Sequence, residues 1–163
     1  MKRPSIYNFI PLIVLLLVVM SYAKFSFSKK QSSNIENQRE IEKVITGYIE
    51  NFFLNQYQEM EVVLHDRISK RGINEDGNLS EECSKKRLQE IMNNKEPLPL
   101  EMQKNRIKDI TLDDNVATAI LETGYPTDRW KEYIQLAKID NQWIIMDIFW
   151  DYKTEIREEF PNV

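Results

Sequence analysis

Cysteine is almost absent from this chain: Cys83 stands alone, so no internal disulfide can form and stability must come from packing. Histidine is as scarce, with only His65, and no pair of cysteines or histidines sits at the short spacing that a metal site needs. No metal and no cofactor is expected. The four glycines share no phosphate-cradling loop and flank no serine, which removes nucleotide-binding loops and nucleophile elbows from consideration. Basic residues are also in deficit, with 22 Lys and Arg against 26 Asp and Glu and a formal charge of -4. The one basic cluster of the folded part, Lys85-Lys86-Arg87, reads as the solvated face of a helix, and nucleic acid is not an expected partner.

What is present begins with an amino terminus built for a membrane. Lys2 and Arg3 precede an apolar run from Phe9 to Met20, broken only by Pro11, and Ser21-Tyr22-Ala23 puts small residues at the minus-three and minus-one places of a cut after Ala23. That is the layout of an export signal. Residues 6–23 are also close to the roughly 20 residues that span a bilayer, so the same stretch reads as an uncleaved anchor. Either way the rest of the chain is expected outside the cytoplasmic membrane, periplasmic, secreted or anchored. No cysteine follows the run, which excludes lipid attachment of the lipoprotein kind. Removing residues 1–23 takes Lys2 and Arg3 from the 22 basic residues, leaving 20 against 26 acidic and a charge of -6.

Residues 24–34, rich in Lys, Ser and Gln, read as a tether, 35–155 as one domain and 156–163 as a tail. With 42% hydrophobic residues the domain can bury one ordinary core. Ser33 with Glu36 fits a capping box, after which Ile41, Val44, Ile45, Tyr48, Ile49, Phe52 and Phe53 recur at helical spacing. A second short helix is expected over Gln56 to Leu64, ending near His65-Asp66, followed by an edge strand from Ile68 to Ile73. The oxygen-rich turn at 74–78 fails as a calcium loop, because Leu79 stands where glycine is required and Lys85 where the bidentate glutamate belongs. Ser80, backed by Glu81 and Glu82, reads as the cap of a third helix running to Met92, before Pro97 and Pro99.

Arg106 to Leu112 and Asn115 to Thr123 then read as strands parted by Asp113-Asp114, and Trp130 to Ile139 with Gln142 to Trp150 as a hairpin joined at Asp140-Asn141. The result is an α+β domain with helices first and three or four antiparallel strands after. In this order, with Ile41 to His65 as the opening and Val116-Ala117-Thr118-Ala119, Tyr133 to Asp140 and Trp143-Ile144-Ile145 as the closing strands, the chain resembles the nuclear transport factor 2-like superfamily. Within it, the match is to SnoaL-like proteins and the branch called putative lumazine-binding. The resemblance covers about Ile41 to Trp150. It implies a cone-shaped (cystatin-like) fold, about three helices on a curved antiparallel sheet, a cavity for a small apolar ligand, and a homodimer. Asp147 departs from the asparagine or histidine that relatives often carry there.

Candidates for ligand contact are the aromatic residues Tyr48, Phe52, Phe53, Tyr133, Trp143 and Trp150, each of which could equally be core. Candidates for acid-base chemistry are Asp147, His65 and Tyr48. Asp147 interrupts an apolar strand and shares a face with Trp143, Ile145 and Phe149, where a carboxylate must be paired or functional. Cys83 reads as a half-buried thiol rather than a nucleophile. Two functions follow: a non-catalytic domain that binds a small ligand or a protein, or an isomerase, dehydratase or cyclase using a pocket carboxylate or histidine. A filled cavity would leave an interaction protein.

Overall fold

The computed structural model describes residues 10–152, with side chains at Gln31 and from Ser33 onward. The chain divides after Asn37 into two compact units, and the fold below is that of the second, which begins at Gln38. Residues 1–9 of the expected signal or anchor and the whole tail over 156–163 lie outside the described residues, as do the side chains of 10–23. Among the described residues no helix is long and apolar enough to cross a membrane.

Helix α1 runs from Ile10 to Leu54. Residues 24–34, expected as a tether, are therefore helical, and Ser33 lies within the helix instead of capping it. The physical reason is continuity: between Pro11 and Gly47 there is neither proline nor glycine, and extending an existing helix through Lys, Ser and Gln costs only tenths of a kcal/mol per residue. Its carboxyl-terminal stripe is the expected one, with Ile41, Ile45, Tyr48, Ile49, Phe52 and Phe53 all buried. The helix stops at Asn55, whose φ of 61° is left-handed. The freed Phe53 carbonyl accepts from the Leu98 amide at 2.8 Å and from Lys95 Nζ at 3.3 Å.

Helix α2, Tyr57–Glu61, is shorter than expected, and strand β1 already starts at Leu64 and continues to Ile73. His65 thus stands on a strand and not at a helix end. Helix α3, Lys85–Asn93, is capped by Ser84, whose Oγ accepts from the Arg87 amide at 3.4 Å. Ser80 instead braces the neighbouring strand, its Oγ accepting from the Gly72 amide at 2.9 Å as residues 79–83 fold back along β1.

Four more strands follow: β2 (Arg106–Asp113), β3 (Val116–Gly124), β4 (Arg129–Ile139) and β5 (Gln142–Tyr152), in the order β1-β5-β4-β3-β2. The last three pairings are antiparallel, but β1 joins β5 in parallel, so the sheet is mixed and has five strands. Asp140 and Asn141 turn the β4–β5 hairpin at φ 49° and 64°, the left-handed pair of a type I′ turn. The β2–β3 turn is Asp114-Asn115, one residue later than the sequence suggested.

A bulge in β5 decides which side chains face inward. Gln135 pairs with Asp147 but Leu136 pairs with Ile145, leaving Met146 extra. A one-residue insertion exchanges the two faces of a strand beyond it. Before the bulge Trp143 and Ile145 are buried, and after it Ile148 is. Asp147 consequently leaves the covered face on which alternation had placed it.

Candidate functional site

On the helix-covered face of the sheet, two ionic side chains occupy positions that alternation assigns to the core. Lys70 shares its side of β1 with buried Ile68, and Glu132 shares its side of β4 with buried Ile134 and Leu136. Lys70 is 7% exposed and Glu132 is not exposed at all. They form a salt bridge. Tyr48, from α1, closes the group: its hydroxyl accepts from Lys70 Nζ at 2.6 Å and donates to Glu132 Oε2 at 3.0 Å. Trp130 Nε1 donates to Glu132 Oε1 at 2.9 Å.

Both carboxylate oxygens of Glu132 are thereby engaged, which is what a buried charge requires. Burial first, and the neighbouring Glu132 second, raise the Tyr48 hydroxyl well above the usual phenol range, so Tyr48 keeps its proton. The Lys70 ammonium also lies 5.3 Å from the ring centroids of both Tyr48 and Phe52. Two aromatic faces add to its stabilisation.

Two of this group, Lys70 and Trp130, face a cavity of about 260 Å³, which is lined also by Phe52, Cys83, Leu88 and Trp150, with Ser80, Glu81 and Ile91 completing the wall. Gly72 permits that shape, because a Cβ there would come within 2.4 Å of the Trp150 ring and 2.0 Å of its carbonyl oxygen. The Cys83 thiol is half-buried; burial pushes it up, with Lys70 and Arg87 pulling against that. Its backbone is tied to β1, the Lys70 and Cys83 amides each donating to the other's carbonyl at 3.0 and 2.7 Å.

Of the aromatic candidates, Phe52 and Trp150 line the cavity and Tyr48 lies beneath Lys70. Phe53 belongs to the core, edge-on to Tyr125 at 5.3 Å. Trp143 is buried elsewhere on the sheet, with Lys138 Nζ 5.8 Å from its ring centroid. Tyr133 projects from the opposite face and is 42% exposed. Asp147 is on that outer face too, paired with Arg71 at 3.3 Å. His65 accepts from the Arg67 amide at 3.1 Å and takes no part in the cavity wall.

Sequence reasoning misses Lys70, Glu132 and Trp130, whereas Cys83 is the half-buried thiol it expects. The available signal was parity: Glu132 alternates with Ile134 and Leu136, and Lys70 with Ile68, so each is a charge on an apolar face. Among the described residues no group of three or more His, Cys, Asp or Glu could hold a metal ion.

Helices laid across a curved mixed sheet with an apolar cavity between them define the nuclear transport factor 2-like class, and solved structures agree. A nuclear transport factor 2-like protein of unknown function from Shewanella baltica superposes with a TM-score of 0.65 at 18% identity, covering 74% of this chain and 97% of that one. Another, from Silicibacter pomeroyi, gives 0.67 at 12% identity, over 74% and 98%. A third, from Methylobacillus flagellatus, gives 0.64 at 20% identity, over 74% and 94%. Residues 36–151 match the model of the family described as putative lumazine-binding, and the chain belongs to that family. No curated protein matches it significantly.

Proposed function

We propose that this domain binds a small, mainly apolar molecule in the cavity between α1, α3 and the sheet, and does not convert it. The observation that carries the reading is the engagement of Glu132: Lys70 and Trp130 hold one oxygen and Tyr48 the other. A general base needs a lone pair directed at the substrate. Glu132, the buried carboxylate beneath Lys70, spends three of about four lone-pair sites on those donors and is not among the wall residues, and Tyr48 is held protonated behind Lys70. The family description, which speaks of lumazine binding, supports a ligand role.

Native mass spectrometry of the full chain purified from its own source tests this. The expected result is a retained small-molecule mass that disappears in Ile91→Trp, where a partly buried wall residue is enlarged into the cavity. A bare chain in both samples would overturn the reading and direct attention to protein partners.

The domain is further proposed to work outside the cytoplasmic membrane, on the strength of Lys2, Arg3 and the apolar run from Phe9 to Met20. A reporter enzyme active only after export, fused behind Val163, should be active. Deleting residues 2–20 should silence it, and activity surviving that deletion would sink the idea.

A further inference from the structure

Of the hydroxyl, indole and ammonium donors that Ser80, Trp130 and Lys70 bring to the cavity, only one N–H is uncommitted, and it defines the ligand. Ser80 Oγ accepts from Gly72 and donates to the Glu81 carbonyl, and the Trp130 indole N–H goes to Glu132. An ammonium has three N–H donors. Lys70 uses two, on Tyr48 and Glu132, and the third has no acceptor among the described residues. It stands beside Phe52, whose ring is part of the cavity wall.

We infer that the cavity selects an uncharged, largely apolar molecule bearing a single carbonyl-type acceptor, which takes the third Lys70 proton. This rests on the ligand-binding reading above. Charge balance is what excludes an anion. Glu132 already neutralises Lys70, and Glu81 adds a second carboxylate at the exposed rim. A ligand carboxylate would be desolvated without a net positive charge to meet it. A neutral carbonyl loses far less on leaving water and gains a charge-assisted hydrogen bond. Lumazine itself fits poorly by the same reasoning, since its several ring nitrogens and two carbonyls would enter a wall of Phe52, Leu88, Ile91, Trp130 and Trp150 that presents one spare ammonium proton.

Four probes separate the possibilities on the full chain: naphthalene, 2-acetylnaphthalene, 2-naphthoate and lumazine. Two of the three tryptophans, Trp130 and Trp150, line the cavity, so quenching of their emission reports binding. The ketone is expected to bind about tenfold more tightly than naphthalene, the size of effect that one hydrogen bond to a charged donor supplies. It should also exceed the isosteric naphthoate and lumazine. In Lys70→Met/Glu132→Gln, which removes both charges together, the preference for ketone over hydrocarbon should vanish. Equal affinity of ketone and naphthalene in the parent chain, tightest binding of naphthoate or lumazine, or a ketone preference that survives the double substitution would each overturn the inference while leaving a binding cavity. Failure of all four probes to bind would overturn the cavity's ligand-binding role as well.

Discussion

Lys70 and Arg71 are neighbours on β1, both basic and both paired with a carboxylate, yet they live in different physical worlds. Lys70 points under the helices to a Glu132 side chain with no exposure, while Arg71 points outward to Asp147, where the two side chains keep 37% and 26% of their surface. Inside, the Glu132 carboxylate is held by Lys70, Tyr48 and Trp130 away from water. Outside, water screens the pair and offers each partner an alternative. The pleat of one strand therefore separates a charge pair that the core depends on from one that it can lose.

Breaking the inner pair on one side only should have the largest effect. Lys70→Met leaves the Glu132 carboxylate buried without its cation, and urea unfolding should show a loss of about 3–5 kcal/mol. Adding Glu132→Gln should recover much of that loss; a double variant as unstable as the single would mean that packing, not charge, is what Lys70 supplies. Tyr48→Phe comes next. It removes a hydroxyl that bonds to both ions, at a cost of about 1–3 kcal/mol for a buried group left unsatisfied.

On the outer face, Arg71→Ala and Asp147→Ala should each cost no more than about 1 kcal/mol, and the double variant little beyond either. A larger coupling in that double-mutant cycle would erase the contrast between the faces. Lys95 is the intermediate case, half-buried, with its ammonium 4.8 Å from the Phe52 ring centroid and its pKa lowered by desolvation to about 8 from 10.5. Between these two values the unfolded chain holds a proton that the folded chain has released, so this residue's contribution to stability rises with pH over that window. Compared with Lys95→Met across pH 7 to 10, the parent should gain stability relative to the variant; a flat difference would show that the rings compensate the desolvation.

Much of this architecture is legible in the residues. The stripe from Ile41 to Phe53, the alternation in β3 and the Asp140-Asn141 turn are local patterns, and each produced the element it announced. The site was far less legible. Lys70 and Glu132 are 62 residues apart, and their meeting follows from the parallel pairing of β1 with β5 beside β4, which no local pattern encodes. Asp147 drew attention because it interrupts an apolar run, but a bulge at Met146 leaves no mark in a strand that is apolar on both sides. His65 was misplaced because the short helix ends three residues sooner than its apolar spacing implied, at Glu61.

The segment that folds back along β1 has a bearing on how copies of this protein behave in a crowd. A terminal strand normally offers a row of bare amides and carbonyls to any extended chain. Here Cys83 and Ser80 already occupy those of Lys70 and Gly72, with the Ser80 amide donating to the Gly72 carbonyl at 2.8 Å. The opposite rim, β2, pairs with no further strand among the described residues but carries Arg106, Lys108, Asp109 and Asp113 at exposed positions, so a strand seeking to extend the sheet meets charge. The peptide that shapes one wall of the cavity also protects the molecule from runaway stacking.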